Sequence, residues 1–130
     1  MPRIFTLDEA NALLPRLRDL LPEMQEAKGE VERLRGEIAE LTRPASGNGH
    51  LLGRTIEHKR RDAQKAVDRL NELLAEVNDL GCEIKGVDEG LVDFRAERQG
   101  RIVYLCWRLG EDVITHWHEL DTGVAGRQPL

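Results

Sequence analysis

Apolar residues in the first eighty positions recur at alternating steps of three and four. Leu17, Leu20, Met24, Ala27, Val31, Leu34, Ile38 and Leu41 form one series. Leu52, Ile56, Ala63, Ala66, Leu70, Leu73, Val77 and Leu80 form a second, with Lys59 the one charged residue in step. Such spacing places side chains on a narrow stripe of a helix, the seam of two helices packed lengthwise. Thr6-Leu-Asp-Glu9 has the form of a capping box and starts the first helical stretch. Pro15 and Pro22 each remove an amide and crowd the preceding turn, so a short first helix or a kink is expected there, then a straight segment to about Thr42. Residues 43–49 have the composition of a flexible turn. The second helix is expected from about Leu51 to Leu80, stopped by Gly81. The result is a long antiparallel, coiled-coil-like helical hairpin in which Lys59 loosens the packing or reaches a carboxylate on the facing helix.

After Gly81 the period becomes two. Residues 82–86 read as a short strand and 87–90 as a turn. Val92, Phe94 and Ala96 then alternate with Asp93, Arg95 and Glu97. A turn at 98–101 leads into 101–109, apolar on both faces as a covered central strand is. A last strand is expected at 113–119, followed by a Gly-rich, irregular tail draped over the sheet. The fold class is therefore α+β: the hairpin over 1–80, then a three- or four-stranded antiparallel sheet over 81–130, in one domain.

Dimensions bear on assembly. Helices of roughly 30–35 residues are about 45–50 Å long, whereas a compact globule of this length is about 36 Å across. Two helices shield each other incompletely, and Leu14, Leu21, Leu51, Val67 and Leu74 widen the apolar stripe. A homodimer completing a four-helix bundle is expected.

Charge narrows the range of partners. The net charge is −5, shared by both halves, so the chain repels a phosphate backbone and general nucleic-acid binding is disfavoured. The basic run Lys59-Arg60-Arg61 is interrupted by Glu57 and Asp62 and reads as a solvated helix face. No apolar run approaches the roughly 20 residues of a membrane span. The first residues lack the layout of a signal peptide, so a cytoplasmic location with reduced thiols at Cys82 and Cys106 is expected.

The candidate chemistry lies in 91–121, which holds four of the five aromatics and both His116 and His118. Residues two apart on a strand share a face, so the two imidazoles stand side by side and suit a divalent metal such as zinc. Asp121 is the preferred third ligand, with Glu111, Asp93 and Cys106 as further donors. Alternatively His118 transfers protons, oriented by Glu111 or Asp121. Asp93, Arg108, Glu111 and Arg127 form a second candidate set, an arginine-lined ligand pocket, against the simpler reading of cross-strand ion pairs. Trp107 and Trp117 read as core, and Cys106 as an inert buried thiol. Nucleotide-binding glycine motifs and the zinc-protease motif are absent, and Ser46, the only serine, has no base nearby.

Four segments carry a family resemblance: Phe5-Thr-Leu-Asp-Glu-Ala-Asn-Ala-Leu-Leu-Pro15, Gly90-Leu-Val-Asp-Phe94, Leu105-Cys-Trp-Arg-Leu-Gly-Glu111, and Trp117-His118 with Gly126-Arg-Gln-Pro129. Over essentially its whole length the chain resembles the bacterial domain-of-unknown-function family 2203 (DUF2203). The resemblance implies a small stand-alone bacterial protein and brings no catalytic residues with it. The leading functional expectation is a non-enzymatic, self-associating cytoplasmic protein with a ligand or partner surface on its sheet. The alternative is a metal-binding protein or metal-dependent enzyme built on His116 and His118.

Overall fold

The computed structural model describes residues 2–43 and 49–130. The polar turn expected at 43–49 lies, but for its two ends, outside them. Three helices, α1 (Leu7–Ala12), α2 (Leu14–Leu41) and α3 (Gly49–Leu80), precede five strands. These are β1 (Glu83–Gly86), β2 (Leu91–Arg98), β3 (Arg101–Arg108), β4 (His116–His118) and β5 (Gln128–Pro129). The fold is α+β: α2 and α3 pack against each other, and one antiparallel sheet in the order β1-β2-β3-β4-β5 follows.

The chain divides into two compact units, one of Glu23–Leu73 and one of the residues up to Pro22 together with Leu74–Leu130. In the first, the buried positions fall on the predicted seams, while the seam residues Ile38, Ile56 and Leu70 are only half-buried. Met24, Ala27, Val31 and Leu34 of α2 and Ala63, Ala66 and Leu73 of α3 are buried. The alanines allow close backbone approach, and the larger residues fill the space between. Lys59 does reach across: its Nζ donates to Glu37 Oε1 at 2.8 Å. Glu37 also accepts from Arg33 at 2.5 Å, so the cation in the seam is matched by a carboxylate with a second partner.

In the second unit the capping box forms as the sequence predicts. The Thr6 N–H donates to Glu9 Oε1 at 2.8 Å, and the Glu9 N–H to Thr6 Oγ1 at 3.1 Å. A break at Leu13 separates a short α1 from α2; Pro15 falls in the first turn of α2, where its missing amide leaves no helical bond unmade, and Pro22 lies inside α2, which continues through it. Gly81 ends α3 at φ +93°, a left-handed conformation, while Arg3 donates to the freed carbonyl of Leu80 at 3.1 Å.

The sheet departs from expectation in two places. It has five strands rather than three or four, because Gln128–Pro129, within the segment read as irregular tail, pairs with β4. A two-residue edge strand containing proline leaves no period-two signature in a sequence. The fourth strand is only His116–His118 instead of 113–119, because the Ile114 N–H donates to Asn11 Oδ1 at 2.9 Å rather than to a ladder.

Pairing fixes the faces. Phe94 faces Leu105, which faces Trp117, while Val92 faces Trp107, so these residues share one side. That side is covered by the N-terminal segment. Phe5 packs edge-on to Phe94 at 5.3 Å, and its N–H donates to Arg95 O at 2.7 Å along the stretch of β2 that β1 leaves unpaired. Trp107 and Trp117 are buried, as expected of core residues. Asp93, Tyr104, Cys106, His116 and His118 lie on the opposite side.

Candidate functional site

Register brings the site together. Asp93 on β2 pairs with Cys106 on β3, Cys106 pairs with His116 on β4, and His118 pairs with Tyr104. Three adjacent strands thus place Asp93, Cys106 and His118 in one patch. One ligand atom from each, a carboxylate oxygen, a thiol sulfur and a ring nitrogen, lies within 4.8 Å of the other two. All three residues are almost sealed, with 1–2% of their surface exposed. Residues Leu120, Gly123 and Val124, which follow His118, line the space over it. Beyond His118 the chain turns through Gly123 at φ +62° into a short 3-10 turn, Val124–Gly126, before β5 returns to the edge of β4.

The patch is the floor of a cleft of about 250 Å³. Leu91, Leu120 and Val124 form apolar walls, with Lys85 and Tyr104 at one side. Leu120 and Val124 are themselves about 40–46% exposed, so the walls reach solvent as the floor does not. A wider groove of about 560 Å³ beside Ile56, Arg60 and Arg61 on the helical pair is open surface, and no residue lining it is buried.

The hydrogen bonds of the floor locate its protons. His118 Nδ1 lies 2.7 Å from the carbonyl oxygen of Glu119, which only accepts, so Nδ1 carries a proton. His118 Nε2 lies 2.8 Å from Asp93 Oδ2, and one further proton bridges that contact. Burial pushes the Asp93 carboxyl above its usual range, opposed by the attraction of His118 and its hydrogen bond. Asp93 Oδ1 has no partner, although an unsatisfied buried carboxylate oxygen costs roughly 1–3 kcal/mol. The Cys106 thiol is pushed up to about 11, chiefly by burial and then by the neighbouring Asp93 carboxylate. A thiol so held is protonated at neutral pH and a poor nucleophile.

Around this floor the polar groups are paired. Glu83 accepts from the Tyr104 hydroxyl at 3.0 Å, from Lys85 at 3.1 Å and from Arg95 at 3.1 Å. The Tyr104 ring stands 5.3 Å from the His118 ring.

The residues singled out in the sequence divide in a definite way. His116 and His118 do share a face, but His118 is sealed in the floor while His116 is half-buried. Its Nδ1 meets Thr115 Oγ1 at 2.9 Å, with Glu111 Oε2 at 4.0 Å. Asp121 is exposed on the loop that follows. Of the second candidate set, Asp93 belongs to the floor, and Glu111 and Arg127 form an ion pair at 2.8 Å. Glu111 also accepts the Arg108 N–H at 2.7 Å, and its carbonyl accepts from Trp107 Nε1 at 2.9 Å. It therefore ties the β3–β4 turn to the tail, while the Arg108 residue itself faces solvent. Cys82 and Cys106 are both free. Sequence reasoning missed the walls of the cleft, Lys85, Tyr104, Leu120 and Val124. The exposed, apolar character of Leu120 and Val124 beside the histidine pair was the one available signal.

No curated protein and no solved structure matches the chain. A family model described as an uncharacterized conserved protein, DUF2203, matches residues 3–130. The sheet, its buried Asp93–Cys106–His118 floor and the helices before it therefore belong to a member of the DUF2203 family.

Proposed function

We propose that this chain is a binding protein, working in the cytoplasm, whose ligand enters the cleft on the sheet and whose copies associate through the helical pair. The observation that carries this reading is the unpartnered Oδ1 of Asp93, a buried acceptor at the base of an open apolar-walled cleft. Its desolvation is offset once a ligand supplies a donor. Binding is favoured over catalysis because the floor holds no poised nucleophile: the thiol is protonated and both imidazole nitrogens are engaged. Two free thiols suit a reducing compartment, and no helix among the described residues is long and apolar enough to cross a membrane. Association is supported by Ile38 of α2 and Ile56, Val67 and Leu70 of α3, which two helices leave only half-buried.

The test is to map binding of a fragment library on isotope-labelled full-length protein by NMR. Perturbations are expected at Asp93, Tyr104, Cys106, His118 and Val124; scattered or absent perturbations would reject the cleft. Sedimentation equilibrium is expected to give twice the 14.8 kDa chain mass, and a single-chain mass would reject the association.

A second reading is favoured by one observation, the shared face of His116 and His118 on β4. In it the protein holds a divalent metal such as zinc, and His116 and Asp121 are the alternative donors that accompany His118.

A further inference from the structure

We infer that Asp93 Oδ1, Cys106 Sγ and His118 Nε2 form a three-ligand site for a zinc-class divalent cation, with the fourth coordination position facing the cleft. The inference deepens the binding reading of the cleft and rests on it.

Geometry carries the argument first. The three residues come from three adjacent strands, and a carboxylate oxygen, the thiol sulfur and a ring nitrogen from them lie within 4.8 Å of one another; His118 Nε2 already stands 2.8 Å from the Asp93 carboxylate. A tetrahedral zinc with bonds of about 2.0–2.3 Å holds its donors about 3.3–3.6 Å apart, so small side-chain rotations suffice. The mixed thiolate, imidazole and carboxylate set suits zinc rather than magnesium or calcium, which prefer oxygen alone.

The surroundings of His118 point the same way. A metal-bound histidine nearly always donates its other ring N–H to a carboxylate or a backbone carbonyl, which fixes the ring. His118 Nδ1 already does so, at 2.7 Å to Glu119 O, leaving Nε2 turned toward Asp93 and Cys106. Asp93 offers an oxygen, Oδ1, that nothing in the protein satisfies.

Charge completes the case. On binding, the Cys106 thiol loses its proton, and the proton shared between Asp93 and His118 also leaves; both pass to solvent. The products are one thiolate, one carboxylate and one neutral imidazole around a dication, so the complex is neutral. A neutral complex removes the penalty of an isolated buried charge. The apolar walls at Leu91, Leu120 and Val124 leave the fourth position accessible to water or a small anionic or sulfur ligand.

The experiment is titration of full-length, chelator-stripped protein, purified without a metal column, with Co²⁺ followed by Zn²⁺ displacement. One equivalent is expected to bind, with intense tetrahedral d–d absorption and a thiolate-to-cobalt charge-transfer band that Zn²⁺ abolishes. Cys106→Ala is expected to remove the charge-transfer band, and Asp93→Asn and His118→Gln to weaken binding by at least about a hundredfold, more than loss of an orienting group costs. Cys82→Ser, which lies outside both donor sets, is expected to bind as the parent does. The charge-transfer band is read on the unaltered protein, so the thiolate ligand is tested even if a variant fails to fold. No saturable binding, or a spectrum without the thiolate band, overturns the inference. Loss in His116→Ala and Asp121→Ala with retention in Cys106→Ala assigns the metal to the other donor set and also overturns it. If fragments occupy the cleft while cobalt does not bind, the metal inference fails alone; if neither binds, the binding reading fails with it.

Discussion

The imidazole of His118 and the carboxylate of Asp93 meet at 2.8 Å with side chains only 2–3% exposed, and the pair depends on each member. Removing one partner of a buried charged pair leaves the other uncompensated, at a cost of about 3–5 kcal/mol, whereas apolar replacement of both is often neutral or better. In metal-free protein, His118→Ala and Asp93→Ala are each expected to lower unfolding stability by about that amount. The Asp93→Leu/His118→Phe double variant is expected to recover most of the loss. Urea denaturation checks this, and additive losses would contradict it.

Glu83 supplies a pH dependence. Burial works against its carboxylate, but hydrogen bonds from Lys85 and Tyr104 outweigh that and hold it below the usual range. A carboxyl with a lowered folded-state value adds stability that is fully present above the unfolded value of about 4.3 and is lost as pH falls through the lower one. Glu83→Gln is therefore expected to cost up to about 1 kcal/mol at pH 7, discounted for its 36% exposed side chain. The difference from the parent should vanish in acid, and a pH-independent difference would show that shape rather than charge is responsible.

The thiols are expected to be inert. Burial pushes both Cys82 and Cys106 to about 11. At pH 8 such a thiol is ionised to about one part in a thousand, against about a quarter for an ordinary cysteine. Alkylation of native, metal-free protein should be at least about a hundredfold slower than in denaturant, where both residues react. Fast modification of Cys106 in the native state would mean that the floor is open.

Lys59 interrupts an otherwise apolar seam, and Glu37 has Arg33 as a second partner. Lys59→Leu fills the seam without leaving the carboxylate alone. A gain of about 1 kcal/mol in unfolding stability is expected by urea denaturation. A loss would show that the Lys59–Glu37 contact is itself needed.

Much of this architecture is legible along the chain. The three-and-four spacing marks the buried positions of the helical pair, and Thr6 with Glu9 marks where helix begins. Even the Lys59 contact follows from the rarity of a charge in a seam. Asp93 is where such reading stops. Alternation places it with Arg95 and Glu97 on the polar side of its strand, which reads as solvent-facing. It is nevertheless 1% exposed, in a cleft lined in part by Leu120, Gly123 and Val124, a segment without periodicity that contains a left-handed glycine. The pairing of Asp93 with Cys106, and of Cys106 with His116, depends on register set by turns rather than by composition. His116 and His118 look equivalent in sequence, yet His118 is buried beside Asp93 while His116 is half-buried and pairs with Pro129.

The unit that carries the sheet draws on both ends of the chain: Phe5 hydrogen-bonds to Arg95, while Glu23–Leu73 forms a separate unit between them. The helical pair is therefore built from contacts between neighbouring segments, whereas the sheet unit must bring Phe5 to Arg95 across the whole of that pair. Contacts of such long sequence separation carry the larger loop-closure entropy, so the sheet unit is expected to form more slowly than the helical pair.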